Sequence, residues 1–198
     1  KYVGSADLES YVCLVDDPRQ EHAKGKKIGI EHLGNVAGGD ATEYLNVPNQ
    51  FMKDCVKQIL VEQGIPVWFG ADCHPMMDRE NGAWATDLFE YGKVYGVDFD
   101  LNKEDRVRFA DSAMNHAMAF VGVDVAEDGT TTRRWRVENS WGDKIADKGY
   151  FTMSDDWFTE YVYEVAVPKA LLPAEYQAAL DEPATMLPAW DPMGALAD

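Results

Sequence analysis

Long apolar runs are absent from this chain. Nothing in it nears the roughly 20 consecutive apolar residues that a membrane-spanning helix needs, and no basic stretch followed by an apolar one opens it. A membrane is therefore not an expected partner. Positive charge is scarce as well: 18 Lys and Arg stand against 35 Asp and Glu, leaving a net charge of −17. Such a surface repels a duplex phosphate backbone, which argues against nucleic acid. It is compatible with cationic or amine-bearing substrates, and equally with plain solubility. Cysteine is the third scarcity. Cys13, Cys55 and Cys73 form no CxxC spacing, and an odd, sparse set reads as free thiols in a reducing compartment, so a cytoplasmic location is expected. The chain does not open with Met, which points to an excised or processed piece. Internal repeats and low-complexity segments do not occur.

What is present is the composition of a soluble globular protein: 198 residues, 46% hydrophobic and 27% charged, enough for one domain with a real core. Tyr11-Val-Cys-Leu-Val15 reads as a short buried strand that ends at Asp16-Asp17-Pro18. Segments 26–33 and 42–47 are further strands. Pro48 suits the first turn of a helix over 48–62, Gly64 suits its end, and Phe51, Cys55, Val56, Ile59 and Leu60 supply its apolar stripe. Segment 65–69 reads as a strand buried on both faces. The stretch 70–96, rich in Met, Trp and Gly, reads as a long structured loop with one short helix. Asn102 is placed to cap a helix running to Phe109. Strands then follow over 116–124, 133–139, 148–153 and 161–167, with a capped helical turn at Ser154-Asp-Asp-Trp157. A last helix over 174–180 precedes a proline-spaced tail.

Two residues carry the chemistry. If 116–124 is a strand, His116, Met118 and Phe120 share a face; if 133–139 is one, Trp135, Val137 and Asn139 share another. An imidazole and a carboxamide can then meet across neighbouring strands, with Trp141 laid over their hydrogen bond. That pair suits a cysteine nucleophile: the imidazole takes the thiol proton and later returns it, and the amide fixes the imidazole's tautomer. The plain alternative is a hydrogen-bonded core histidine beside a turn. A nucleophile in a suitable setting is missing. Cys55 lies on an apolar helix stripe and Cys13 in a buried strand, where thiols act as small hydrophobes; Cys73, beside His74, has no helix N-terminus to lower its pKa. A zinc site drawn from His22, His32, His74 and Cys73 fits no common ligand spacing, so neither a metal nor a cofactor is expected.

The motifs Asn115-His-Ala-Met118, Glu138-Asn-Ser-Trp-Gly142 and Lys148-Gly-Tyr150 resemble the second half of papain-like thiol proteases. Tyr11-Val-Cys-Leu-Val-Asp-Asp-Pro-Arg19, Val67-Trp-Phe-Gly70, Glu160-Tyr-Val-Tyr-Glu-Val165 and, most specifically, Leu187-Pro-Ala-Trp-Asp-Pro-Met-Gly-Ala-Leu-Ala197 narrow the resemblance to the bleomycin hydrolase and aminopeptidase C branch. It covers almost the whole chain but only the C-terminal half of that family's length. It implies an α+β fold, mainly the β-barrel-type half that carries His and Asn, with flanking helices. It implies a cysteine-type aminopeptidase in which His116 is general acid/base, Asn139 its orienter and Trp141 a shield. The nucleophilic Cys and the oxyanion-hole Gln lie upstream in the family, so residues 1–183 would be the C-terminal half of the peptidase domain, inactive alone and partnered by the enzyme's N-terminal half. A homo-oligomer, a hexameric ring by family pattern, is implied as well.

Residues 184–198 make an odd terminus, because Met186, Leu187, Trp190, Met193 and Leu196 are too apolar for a free end. Prolines 183, 188 and 192 favour an extended arm lying in a groove. By resemblance the arm enters the active-site cleft, and carboxylates at Ala197 or Asp198 face the amine of a peptide substrate with a free N-terminus. The competing reading is a non-catalytic papain-like module that binds a peptide or a partner.

Overall fold

Short β-branched and aromatic runs separated by Gly, Pro and Asp assemble into one eleven-stranded sheet, with five α-helices among the described residues of the computed structural model, which are 8–34, 37–39, 41–99 and 101–197. In chain order the strands are β1 (Tyr11–Val15), β2 (Lys26–Ile30), β3 (Glu43–Asn46), β4 (Val67–Ala71), β5 (Met77–Asp78), β6 (Ala83–Trp84), β7 (His116–Val125), β8 (Thr132–Glu138), β9 (Tyr150–Ser154), β10 (Val162–Pro168) and β11 (Thr185–Leu187). Across the sheet they lie in the order β11-β2-β3-β1-β10-β4-β7-β8-β9-β6-β5. Antiparallel pairing dominates its middle, from β1 through β10, β4, β7 and β8 to β9.

The two faces of the sheet carry separate cores. The larger gathers Leu14, Val67, Phe69, Phe120, Trp135, Val137 and Phe158 beneath helix α1 (Asn49–Gln58) and helix α4 (Asp155–Tyr161). The smaller gathers Val15, Ile30, Tyr44, Tyr163, Leu187 and Met193 on the opposite face. Leu14 and Val15 fall on different sides because successive strand residues alternate. Helix α1 begins after Pro48 and runs on through a π-helical turn (Ile59–Gln63) to Gly64, whose φ of 64° is the left-handed close expected there. Asn102 and Ser154 each accept a hydrogen bond from a backbone N–H three residues on, capping α3 (Lys103–Arg108) and α4. Lys53 is buried in the apolar stripe of α1 because Asp155 and Thr159 take its ammonium protons at 2.6 and 2.7 Å. The last helix, α5 (Ala174–Ala179), follows Pro173.

Three expectations need correction. The fourth strand starts at Val67 because Pro66 has no N–H to give a ladder, and it is not covered on both faces throughout: Trp68 is 64% exposed, although Gly70 on the same face is buried. The stretch 70–96 is less irregular than expected, since β5 and β6 pair as a hairpin and β6 joins β9, before helix α2 (Tyr91–Tyr95). The tail is extended only over β11, which adds in parallel to β2. At Pro188 it turns, and Asp191 starts a 3-10 helix (Pro192–Ala197): its side chain accepts from the Met193 N–H at 3.0 Å and its carbonyl from the Gly194 N–H at 2.9 Å. Proline at a first helical position is compatible with that turn, so prolines alone did not force extension.

Candidate active site

Register brings His116 and Asn139 together. Ala119 pairs with Glu138 and Phe120 with Val137, so Asn139 follows on the same face as His116, one diagonal step away. His116 Nε2 lies 2.9 Å from Asn139 Oδ1. The backbone N–H of Ser140 donates to that same Oδ1 at 2.7 Å. A backbone amide is always a donor, so this atom of the carboxamide is the oxygen. Nε2 must then carry the proton it shares with Asn139, and the lone pair sits on Nδ1. Among the described residues nothing hydrogen-bonds to Nδ1. The imidazole is therefore held in one tautomer with its basic nitrogen available.

The loop after β8 sets this geometry. The Asn139 N–H donates to the Gly149 carbonyl at 3.1 Å, folding the loop back on itself. Gly149 has a φ of 89°, and a Cβ there would come within 2.9 Å of the Gly142 carbonyl oxygen, so no larger residue fits. The same loop puts Trp141 over His116, with ring centroids 5.2 Å apart and planes 19° from parallel. Phe151 meets Trp141 edge-on, and the Arg79 guanidinium lies 5.1 Å from its ring centroid. Asn139 is buried, and its Nδ2 has no acceptor among the described residues. An orphan donor there costs about 1–3 kcal/mol until an acceptor arrives.

Sequence reasoning missed the support on the other side of His116. Asp72 accepts from Asn115 Nδ2 at 2.6 Å and from Ser112 Oγ at 2.8 Å; Tyr163 in turn donates to Ser112 at 2.8 Å. Asn115 Oδ1 accepts the Cys73 N–H, and the Asn115 N–H donates to Ala71. This network fixes the residue just before the imidazole. The one signal for it was two polar residues, Ser112 and Asn115, flanking an apolar strand.

The three thiols are held protonated. Burial, with the Asp54 charge, pushes Cys55 up to about 12; burial, with Asp72, pushes Cys73 up to about 11; burial and Glu164 push Cys13 further still. Cys73 packs in the larger core, and no thiol hydrogen bond to His116 occurs among the described residues. The histidines of the zinc reading are not gathered: His22 Nδ1 contacts Asp17 at 2.6 Å, and among the described residues no group of three or more His, Cys, Asp or Glu is placed to hold a metal. Of the arm residues, Ala197 closes the final turn and Asp198 lies outside the described residues.

The family model of the Peptidase C1-like family matches residues 1–194. The chain belongs to this family. Its sequence is 42% identical to aminopeptidase C of Lactobacillus delbrueckii subsp. lactis, over 100% of this chain and 44% of the relative. It is 43% identical to bleomycin hydrolase of Homo sapiens, over 97% of this chain and 42% of that protein. Its fold superposes on the crystal structure of PepW from Lactobacillus rhamnosis HN001 with a TM-score of 0.92 at 38% identity, covering 98% of this chain and 44% of that one. The α+β, papain-like fold expected from the motifs is the fold of this peptidase family. The chain spans less than half the length of the curated relatives it matches.

Proposed function

We propose that these residues form the His- and Asn-bearing part of a thiol aminopeptidase of the aminopeptidase C and bleomycin hydrolase kind, which removes residues from peptides with a free N-terminus. The observation that carries the reading is the Ser140 N–H on Asn139 Oδ1: it forces Nε2–H and leaves Nδ1 as the base. His116 takes the proton of a cysteine thiol supplied from outside these residues. The thiolate attacks the scissile carbonyl carbon, and His116 gives the proton to the leaving amine as the C–N bond breaks. Water then attacks the thioester, passing its proton to Nδ1, and the acid leaves as the C–S bond breaks. Asn139 holds the imidazole in orientation, and Trp141 keeps water from the Nε2–H···O bond. The carboxylates of Ala197 or Asp198, at the arm's end, receive the substrate amine.

Two features support an outside partner. The unmet Asn139 Nδ2 awaits an acceptor, and Phe89, Tyr95, Phe99 and Phe109 expose a broad apolar surface. Residues 1–183 serve as one half of a peptidase domain completed by the N-terminal half, 184–198 serve as its arm, and the enzyme works as a cytoplasmic hexamer. In the full-length protein, His116→Ala should lower kcat/KM on aminoacyl chromogenic substrates by about 10²–10⁴-fold. Normal peptidase activity in that variant ends the proposal. A non-catalytic peptide-binding module is favoured by one observation, the three protonated thiols, and it predicts no turnover in the full-length protein.

A further inference from the structure

Position 79 is fixed at the tip of the β5–β6 hairpin. Asp78 accepts from the backbone N–H groups of Glu80 and Asn81, at 3.1 and 3.0 Å, and from Asn81 Nδ2 at 2.8 Å. The Gly82 N–H closes the turn on the Asp78 carbonyl at 2.9 Å, and the Gly82 carbonyl accepts from the Thr152 N–H of β9 at 2.8 Å. Gly82 has a φ of 72°, and a Cβ there would lie 2.3 Å from the Ala146 Cβ, so the hairpin sits directly against the loop that carries Trp141. At its root, Trp84 donates to the Cys73 carbonyl at 3.0 Å and stacks on Phe151, the same ring that meets Trp141 edge-on. A chain of ring contacts therefore runs from His116 through Trp141 to the Arg79 guanidinium.

Arg79 is exposed, and among the described residues it takes part in no hydrogen bond or ion pair. Arg19, Arg106, Arg108, Arg133 and Arg136 each pair with a carboxylate in this acidic chain. The neighbouring carboxylate, Asp78, is taken by the hairpin's own N–H groups. A cation–π contact uses none of the guanidinium's five N–H donors as hydrogen bonds, so all of them remain available.

We infer that Arg79 is a specificity-determining residue of the proposed aminopeptidase, receiving the C-terminal carboxylate of short peptide substrates. The inference rests on the proposed activity and adds to it a preference at the far end of the substrate. His116 hands its proton to the leaving amine, so the departing peptide begins at the imidazole. The two ring contacts, 5.2 and 5.1 Å, keep the guanidinium within about 10 Å of that ring, the span of about three residues of extended chain. A departing di- or tripeptide therefore brings its carboxylate to Arg79, where the guanidinium fork matches it with two N–H···O bonds. Longer peptides carry their terminus past it. A net charge of −17 repels a carboxylate from most of the surface, which makes an unpaired arginine beside the imidazole the favoured place for it.

The test uses initial rates of the full-length protein on two tripeptides of one sequence, both with a free amine, one ending in a carboxylate and one in a carboxamide. Wild type should cleave the acid with a kcat/KM about 5- to 20-fold higher, mainly through KM, and the ratio should shrink as salt rises to about 0.5 M. Arg79→Gln should bring the ratio to within about twofold by raising KM on the acid, and Arg79→Lys should keep part of it. The ratio should also vanish for an acid and amide pair of about ten residues, whose terminus lies beyond reach. A wild-type protein that cleaves the two tripeptides within about twofold of each other overturns the inference and leaves the aminopeptidase reading standing, and this comparison needs no variant to fold. An Arg79→Gln that slows both substrates by one factor and keeps their ratio also overturns it, since Arg79 would then only hold Trp141 in place. A wild-type protein inactive on every free-amine peptide overturns both.

Discussion

Asp191→Ala tests what holds the arm down. Arg19 reaches Asp191 through both terminal nitrogens, at 2.9 and 2.8 Å, and grips Asp17 through Nε and Nη2, at 2.9 and 2.8 Å. The side chains of Arg19, Asp17 and Asp191 are 10%, 0% and 6% exposed, so solvent screening barely weakens them. Breaking a buried ion pair by removing one partner costs about 3–5 kcal/mol. The lower end applies here because Arg19 keeps Asp17, although the variant also loses the turn cap on the Met193 N–H. A loss of about 3 kcal/mol is a drop of roughly 6–12 °C in Tm for a chain of this size. Since β11 is the outermost strand, part of the loss should appear as local opening. Hydrogen exchange reads it directly: the amide of Glu31, bonded to the Leu187 carbonyl at 2.8 Å, should exchange about 10²-fold faster. Asp191→Asn, which keeps one acceptor, should lose about half as much. The contrast is Glu182→Gln on the same edge, whose pair with Lys26 is 56% and 49% exposed and should cost at most about 0.5 kcal/mol. If Asp191→Ala and Glu182→Gln shift Tm and exchange equally, the buried network does not anchor the arm.

Three further outcomes follow from the same geometry. Burial alone would raise the pKa values of Asp16 and Asp17, but Lys103 and Lys24 hold the first below the usual aspartate value and Arg19 and His22 hold the second there. A lowered folded value stabilises fully above the ordinary pKa of 3.8 and is lost as pH falls through the folded one, so acid unfolding should begin below about pH 4 and be blunted in Asp17→Asn. Glu164 has the opposite sign: its penalty is absent below the ordinary 4.5 and grows as pH rises through its raised folded value, so Glu164→Gln should melt higher than wild type at neutral pH and equally at pH 4. Finally, the isolated 198-residue chain should be inactive on aminoacyl substrates and should self-associate through its exposed Phe89–Phe109 surface; turnover, or a clean cooperative monomer by sedimentation and melting, contradicts this.

Local chemistry carried further in this sequence than long-range pairing did. Gly64, Asn102 and Ser154 announced helix ends because a left-handed glycine and a capping side chain act within three residues. Period-two alternation grouped His116 with Met118 and Phe120, and Asn139 with Trp135 and Val137, for the same reason, since pleating depends only on neighbours along the strand. Trp68 defeated that logic: an apolar residue in an apolar strand reads as buried, and its exposure follows from strand partners and from a surface left uncovered, neither of which is written nearby. The β5–β6 hairpin was hidden because a two-residue strand has no period to detect. Arg19 and Asp191 are separated by 172 positions, and each reads alone as an ordinary surface charge. The motifs around them were visible as family markers, yet their contact was not, because only the folded sheet sets β11 beside β2 and turns Asp191 inward. Burial is what converts such a pair from a weak surface contact into an anchor worth several kcal/mol, and burial is a property of the whole fold.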